Sequence, residues 1–448
     1  MKSEQTPDLN PFGVLFTLCM GLLLLLFPRR KALIPLVLMT CYMTFGQQVV
    51  LMSLHFTMLR LIVLVGCVRV VVRGEFRRIR WLRMDTLVVL WVMVTVIVYT
   101  MLWQTTAALV NRLGFAYDSL GLYFICRSLI ADTEDITRAC RVFAWALAPV
   151  AVCMIAEKLT GQNPFFVFGG VPRMTELRNG VVRCQGPFRH PILAGTFGAI
   201  WIPLLTGLWR QKGSNGFLVG VGITAAMTIA ALSGSSGPVA TLLLGVVGLL
   251  CWPMKKQLRM IRWTVIGAIL MLQLVMQAPV WFIFAKVNIL SGSTGWHRAY
   301  LIDRTVAHFS EWWLFGAKSV APWGVWAGDV TNQYVIQGIN GGFLGLVLFV
   351  AIIISAFASI GMAMRAREGN QWVLWTIGCT LFAHSVTFLS VSYFDQNIVN
   401  WYLVLAMSCA VRPVHRKVGS NVPEKSKVRN LGDVCEVQSA GPIQGSWS

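Results

Sequence analysis

The sequence predicts an all-α protein, a polytopic bundle of about 12–13 transmembrane helices with a large external loop that contains surface helices. Apolar residues make up 56% of its 448 residues and charged residues only 12%, about half the charged fraction of a soluble domain. Many runs of about 17–22 residues carry few or no charges, which is long enough to cross a hydrocarbon core of about 30 Å. Basic residues cluster at the ends of these runs, as they do in cytoplasmic loops.

Thirteen apolar runs are predicted to span the membrane. We place the basic hinges between them inside the cell, because Lys and Arg are enriched in cytoplasmic loops. The C-terminus is then cytoplasmic, whereas the N-terminus and the loops 157–190, 233–236, 286–340 and 391–395 lie outside. The predicted spans are 11–27, 32–50, 56–72, 86–103, 114–131, 139–156, 191–209, 216–232, 237–252, 263–284, 341–362, 371–390 and 396–411.

The predicted domain organisation follows from the same runs. Residues 1–411 form a single transmembrane domain, and the polar residues 412–448 form a disordered basic tail in the cytoplasm. A net charge of +20 can indicate nucleic-acid binding, but the chain has no basic, aromatic-interleaved domain outside the apolar runs. We therefore expect membrane lipids as partners, and no nucleic acid.

One polar stretch, residues 286–340, interrupts the apolar runs and is predicted to cover the functional site. At helical spacing it divides into two faces, as expected of a helix that lies on a surface. The apolar face consists of Ala299, Ile302, Val306, Phe309 and Trp313. The polar face consists of His297, Arg304, His308 and Glu311.

The external loop 157–190 carries five cations and two anions, although Lys and Arg are usually depleted outside. Such a local departure from a general rule indicates function. Arginine suits phosphate, because its planar guanidinium donates to two oxygens at once and stays charged. The candidates for binding an anionic substrate are Arg183, Arg189, Arg298 and Arg304, with Arg60 and Lys286 as second choices.

Several polar groups near the spans have two interpretations. Arg60 either extends to the membrane surface or faces an anionic ligand. Asp118 and Arg127 are either structural partners of neighbouring groups or catalytic residues. The turn from Ser233 to Pro238 is either a plain helical hairpin or a place where glycine lets the backbone approach a ligand closely.

Two stretches carry a family resemblance. Residues 183–191 have the spacing Arg-x-x-Gly-x-Phe-x-x-Pro, directly before a predicted span of small residues. The second stretch runs from Arg298 through the Leu-Phe-Gly step at 314–316 and the Asn-Gln-Tyr element at 332–334 to the Gly-x-x-Gly at 342–345. In order and spacing, these elements resemble the O-antigen ligase and O-antigen polymerase superfamily of bacterial envelope proteins, over roughly residues 140–410.

The resemblance implies an enzyme of the bacterial cytoplasmic (inner) membrane whose active site faces the periplasm. Such an enzyme takes a glycan from a polyprenyl-diphosphate carrier and transfers it to a glycan, lipid or protein acceptor, without a metal or other cofactor. External arginines would hold the diphosphate, and Arg183 matches the first of them by position. An external histidine would assist the acceptor hydroxyl.

Two positions depart from the family pattern. Ser236 stands where an arginine is frequent at the hairpin, and Thr331 stands where a histidine precedes the Asn of the catalytic element. Activation of the acceptor must then come from other groups, such as a carboxylate or a histidine that titrates near neutral pH. The candidate catalytic residues are Asp329, Asn332, His297 and His308, with His190 as a further base.

Glycan transfer from such a carrier requires two contributions from the protein. A polyprenyl diphosphate is already a good leaving group, so the protein must stabilise charge on the diphosphate and help to activate the incoming hydroxyl. The alternative is a non-enzymatic flippase for lipid-linked oligosaccharide, for which we expect charges along a cavity through the bilayer and two similar halves. The informative residues concentrate in two external loops instead, which favours the transferase.

Overall fold

The structure, a computed structural model, describes residues 9–51, 54–211, 213, 215–286, 295–367 and 369–412. Apart from Arg412, the predicted tail 412–448 lies outside these residues, as do residues 287–294 of the predicted loop 286–340.

In these ranges the chain forms sixteen α-helices and two short antiparallel β-hairpins. The hairpins pair β1 (Gln48–Leu51) with β2 (Leu54–Thr57), and β3 (Glu176–Arg178) with β4 (Val181–Arg183). The helices are α1 Pro11–Leu26, α2 Arg29–Tyr42, α3 Met58–Val72, α4 Arg83–Trp103, α5 Thr106–Leu129, α6 Thr133–Thr160, α7 Pro191–Trp209, α8 Gly216–Leu232, α9 Ser236–Leu250, α10 Leu258–Val275, α11 Ile283–Lys286, α12 Gly295–Ala307, α13 Phe309–Trp312, α14 Gln333–Ala366, α15 Gln371–Thr387 and α16 Gln396–Ala410.

The predicted helical class is confirmed, and each of the thirteen predicted spans coincides with one helix. Within the described part of the chain, five helices are long and apolar enough to cross a membrane, namely α4, α6, α7, α10 and α14. Three more, α1, α8 and α9, are apolar but shorter.

Two predicted spans are too long at their C-terminal ends. The helix predicted at 32–50 ends at Tyr42, because polar contacts hold the following residues: Thr44 Oγ1 donates to Gly169 O, and Gln47 Nε2 donates to Phe168 O. The helix predicted at 263–284 ends at Val275. Pro279 follows it, and a proline disfavours helical backbone at the residue before it.

The helix α7 lies at the centre of the bundle, with 16 of its 19 residues buried. Small residues allow this close packing: a Cβ on Gly198 would lie 2.6 Å from Ala226 O in α8. The helix α10 is the opposite case, because none of its residues is buried although the helix is apolar. Its exposed apolar surface is what a lipid-facing helix presents.

The bundle has two chemically different ends. We call one the basic end: it holds the hinges around Arg29, Arg80 and Asp135, where Arg29 Nη1 donates to Asp135 Oδ2 (2.7 Å). We call the other the site end: it holds the loops 161–190, 233–235 and 388–395. There Arg189 pairs with Asp395 (2.5 Å), which ties the loop before α7 to the loop before α16.

A reversal inside α14 shapes the site end. Gly342 has φ +63 and ψ −171, and a Cβ there would lie 2.4 Å from Leu314 O, so this position needs glycine. Tyr334 and Phe349 would be about 22 Å apart in a straight helix. Their ring centroids are 5.9 Å apart, so the two halves of α14 fold against each other.

This reversal corrects the predicted extent of the external loop. Residues 333–340 are predicted to belong to the loop 286–340, but they are helical and pack into the bundle. Gln337, for example, is buried and accepts a hydrogen bond from Trp91 Nε1 of α4 (3.1 Å). Hydropathy does not predict the burial of this half-helix, because several of its side chains are polar.

The surface helix predicted within 286–340 exists as α12, but its buried face differs from the predicted one. Ala299 is buried as predicted, whereas Val306, Phe309 and Trp313 are exposed. For Phe309 and Trp313 the reason is a break at His308, whose backbone leaves the helical region between α12 and α13. The period that grouped these side chains on one face therefore does not continue across residue 308.

Candidate functional site

The candidate site is centred on the hairpin tip, which we define as residues 233–237 between α8 and α9. Ser235 Oγ accepts a hydrogen bond from Arg183 Nη2 (2.7 Å). Gly234 has φ +56, and a Cβ there would lie 3.1 Å from Arg183 Cγ. Glycine at 234 therefore supplies both the left-handed backbone and the space that the arginine side chain occupies.

Arg183 is held in this position by the loop before α7. It ends β4, and the β3–β4 register places it opposite Glu176, whose Oε1 accepts from Arg183 Nη1 (2.7 Å). The buried carboxylate of Glu157, at the end of α6, accepts the backbone N–H groups of Gln185 (3.1 Å) and Gly186 (2.9 Å). These contacts fix the chain direction just after Arg183.

Arg298 reaches the same hairpin tip from α12. A Cβ on Gly237 would lie 3.4 Å from Arg298 Nη2, so the guanidinium lies against the glycine. Burial lowers the pKa of Arg298 from its ordinary value. Among the described residues it has no hydrogen bond or ion pair, and its Nε is buried without a partner.

His190 lies close enough to Arg183 and Asp329 to interact electrostatically with both. His190 caps α7: its Nδ1 accepts the N–H of Ile192 (3.1 Å), which leaves the proton of the neutral ring on Nε2. Burial lowers the pKa of His190, and the positive charge of Arg183 lowers it further, while Glu176 and Asp329 act in the opposite direction. Asp329 is exposed and has no hydrogen bond or ion pair within the described ranges.

The arrangement at the hairpin tip is suited to an anion. Arg298 is a half-buried cation with no counter-charge in the described part of the chain, and Arg183 keeps one unused donor, its buried Nε. Its one carboxylate partner, Glu176, has 39% of its side chain exposed and so compensates the charge weakly. A buried charge without a partner is unfavourable, so an anion placed between the two guanidiniums would be bound strongly.

Two of the predicted anion-binding arginines are engaged elsewhere. Arg189 donates two hydrogen bonds to Asp395 (2.5 and 2.9 Å), and this pairing raises its pKa. Arg304 Nη2 donates to the neighbouring Asp303 (2.9 Å), and the guanidinium lies 5.3 Å from the centre of the Tyr300 ring. The structure thus brings together Arg183 and Arg298 of the four predicted arginines.

The two histidines of the predicted loop 286–340, His297 and His308, hold its described part together. His297 Nε2 donates to Trp326 O (2.8 Å). His308 Nδ1 contacts Glu311 Oε1 (2.7 Å), and Glu311 Oε2 accepts from Trp323 Nε1 (2.8 Å). Both contacts tie the 321–326 segment to α12 and α13, which is a role in positioning.

Asn332, the fourth predicted catalytic residue, caps α14. Its Oδ1 accepts the N–H groups of Tyr334 (2.9 Å) and Val335 (3.2 Å), and its Nδ2 donates to Leu389 O (3.2 Å). The side chain is buried, and the backbone uses its acceptor. It positions the chain that leads from Asp329 into α14.

Some residues of the site end were missed from the sequence. Ser235 and Asp395 partner arginines from distant parts of the chain, which no local pattern shows. Arg112 was also missed. It lies 3.7 Å from the centre of the Tyr99 ring, and its Nε is buried without a partner.

Asp118 and Arg127 each pair with a neighbouring charged group, one of the two interpretations given for them, whereas the pairing of Arg60 with Asp118 was not predicted. Arg60 pairs with Asp118 (3.1 Å). Arg127 pairs with Asp85 (3.1 Å), which also accepts from Tyr123 Oη (2.6 Å). Lys286 is exposed at the end of α11.

No protein-family model matches the chain, and no curated protein is significantly similar to it. In the described ranges, no group of three or more His, Cys, Asp or Glu side chains is placed to hold a metal ion. The interpretation of the site therefore depends on its own geometry and charge.

Proposed function

We propose that the protein is a polytopic membrane protein of about 12–13 spans whose site end faces outward, in a bacterial cytoplasmic membrane. The exposed apolar surface of α10 supports the membrane part, since such a helix is stable in lipid and unfavourable in water. The segregation of basic hinges to one end supports the orientation.

Within this frame, we propose that the site end transfers a glycan from a polyprenyl-diphosphate carrier to an acceptor hydroxyl. The observation that carries the proposal is the convergence of Arg183 and Arg298 on the hairpin tip, with buried donors left unused. Two guanidiniums match the two phosphates of such a carrier, and both stay charged when buried.

The reaction needs groups that stabilise the leaving diphosphate, accept the proton of the acceptor hydroxyl and hold the glycan donor. The acceptor oxygen attacks the anomeric carbon, and the bond from that carbon to the diphosphate oxygen breaks, so that the diphosphate leaves with the bonding electrons. Arg183 and Arg298 stabilise the charge that grows on it. The acceptor proton passes to the carboxylate of Asp329, and Nε2–H of His190 donates to an oxygen of the donor.

We also propose membership of the O-antigen ligase and O-antigen polymerase superfamily. Close backbone contacts explain why glycine occurs in the two elements that resemble the family. Phe343 N–H donates to Trp313 O (2.7 Å), and Ala317 N–H donates to Ile339 O (3.0 Å). These two hydrogen bonds hold the Leu-Phe-Gly step at 314–316 against the chain around the Gly-x-x-Gly element at 342–345. Arg298 brings a guanidinium to a hairpin tip that has Ser236 where the family often has arginine.

The test uses purified protein and a polyprenyl-diphosphate glycan, with carrier release and acceptor glycosylation as the readouts. We expect Arg183→Gln to lower transfer by about 10²–10³-fold, the effect of removing one donor to a developing oxyanion. Arg173→Gln is the matched control, because Arg173 is an exposed arginine of the same loop. Equal activity of Arg183→Gln and wild type would refute the role of Arg183. Movement of the glycan across liposomes without carrier release would identify a flippase instead.

A further inference from the structure

A second cationic site lies at the basic end of the bundle, far along the helices from the hairpin tip. It is a cleft of about 630 Å³ between α6, the end of α7 and the start of α15. Its lining includes Arg138, Arg141 and Arg210, together with the neutral polar groups of Thr137 and Gln211. Neither the anion site nor the proposed transfer reaction uses these residues.

The charges in the cleft are not balanced. Arg138 pairs with Asp135 (2.5 Å), and Asp135 also binds Arg29 (2.7 Å), so this carboxylate is shared. Arg141 and Arg210 have no carboxylate partner in the described part of the chain.

The remaining contacts of the cleft do not change this balance. The guanidinium of Arg210 lies 4.5 Å from the centre of the Trp372 ring, which leaves its charge uncompensated. Glu134 is the one carboxylate among the residues that line the cleft. The cleft therefore has a net positive charge and several neutral hydrogen-bonding groups, which suits a phosphate.

An apolar track leads away from the cleft along α6. Trp145 lies one turn from Arg141 and Val152 lies about three turns from it, so all three share one face of the helix. The two apolar side chains are 59% and 65% exposed. A cation, then an aromatic ring, then an exposed aliphatic side chain is the order that a membrane leaflet presents from its headgroups inward.

We propose that this cleft binds the phosphate headgroup of an anionic phospholipid of the cytoplasmic leaflet, with the acyl chains lying over Trp145 and Val152. The phosphate contacts Arg141 and Arg210. Gln211 Nε2 donates one hydrogen to Thr137 Oγ1 (3.0 Å), and its second hydrogen offers a neutral donor beside the phosphate. The apolar track distinguishes a lipid from free phosphate, because a free ion has nothing to place on it. The inference depends on the proposed membrane orientation and is independent of glycan transfer.

The test is lipid binding to the full-length protein in a neutral detergent, followed by native mass spectrometry and thermal unfolding. The probes are phosphatidylglycerol, phosphatidylcholine and inorganic phosphate. We expect the wild type to retain phosphatidylglycerol in preference to phosphatidylcholine. The variant Arg141→Gln/Arg210→Gln should bind phosphatidylglycerol about thirtyfold more weakly, since each basic residue at a lipid surface contributes about fivefold.

Two further variants make the result specific. Arg259→Gln/Arg262→Gln removes two exposed arginines of α10, which do not line the cleft, and should bind as the wild type does. Arg141→Lys/Arg210→Lys keeps the charge and should retain most of the binding. Equal losses in both glutamine variants would show a general charge effect and overturn the proposal. Stabilisation by phosphate alone, equal to that by lipid, would overturn the lipid assignment.

The assay contains no glycan donor, so its result does not depend on the transferase reaction. A variant that lost phosphatidylglycerol binding but kept glycan transfer would support the cleft as a separate site. Loss of transfer in Arg183→Gln with intact lipid binding would support the two sites independently.

Discussion

Two arginines from opposite ends of the bundle, Arg69 and Arg298, show opposite uses of this side chain. At the basic end, Arg69 is 1% exposed and donates to Glu75 through Nε (3.2 Å) and Nη2 (2.7 Å), and to Phe27 O (2.7 Å). At the site end, Arg298 is half-buried and has no such partner among the described residues. A buried arginine with a complete set of partners holds helices together, whereas one with open donors is available to a ligand.

The largest effect that we expect is loss of stability at the basic end. Arg127→Leu leaves the fully buried Asp85 without its cation, which should lower the free energy of unfolding by about 3–5 kcal/mol. Adding Asp85→Asn should recover part of this loss, because it removes the unpaired negative charge of the Asp85 carboxylate. Chemical unfolding in detergent measures both. Unchanged stability of Arg127→Leu would show that Arg127 does not hold the helices together.

The matching substitution at the site end should affect function instead. Arg298→Leu removes a half-buried charge that has no partner among residues 9–286 and 295–412 that the structure describes, so we expect unfolding stability equal to or above that of the wild type. Glycan transfer should fall by about 10²–10³-fold, because one donor to the leaving diphosphate is lost. Parallel unfolding and transfer measurements separate the two effects. A large loss of stability would assign Arg298 to the structural class.

A smaller effect is expected at the hairpin tip. Gly234→Ala places a Cβ against Arg183 Cγ, at a position with φ +56, and should reduce both stability and transfer. Gly161→Ala is the control, since Gly161 has φ +69 but no atom within 4 Å of an added Cβ. Each should cost about 1–2 kcal/mol of backbone strain. If transfer fell equally in both variants, the space at 234 would not matter to Arg183.

The smallest effect concerns pH. The folded-state pKa of His190 is lowered by burial and by Arg183, so the unfolded chain binds the proton more readily. Stability from the cap at Ile192 is therefore complete above the ordinary histidine pKa of 6.5 and declines as the pH falls below it. The loss should be about 1 kcal/mol, the usual contribution of a cap.

His190→Asn tests this account, because asparagine caps a helix but does not titrate in this range. Unfolding midpoints at pH 5 and pH 7.5 should differ less in the variant than in the wild type. An identical pH dependence in the two proteins would exclude His190 as the group responsible.

Site residues could be predicted where a local pattern of charge or polarity marked them. The excess of cations in 157–190 singled out Arg183, and the polar interruption at 286–340 singled out Arg298. Arg189 and Arg304 carry the same local signal, but their nearest carboxylates, Asp395 and Asp303, occupy them. A sequence shows which residues are charged, but it does not show which charges are already neutralised.

The sequence by itself determined the helical class, the positions of the apolar segments and the separation of the basic hinges from the polar loops of the site end. These follow from hydropathy and charge, which are properties of short stretches of chain. Tertiary structure alone decided that α14 reverses at Gly342 and that two arginines 115 positions apart meet at one hairpin tip. Those outcomes depend on backbone conformation and on contacts between distant residues, and neither is encoded in local composition.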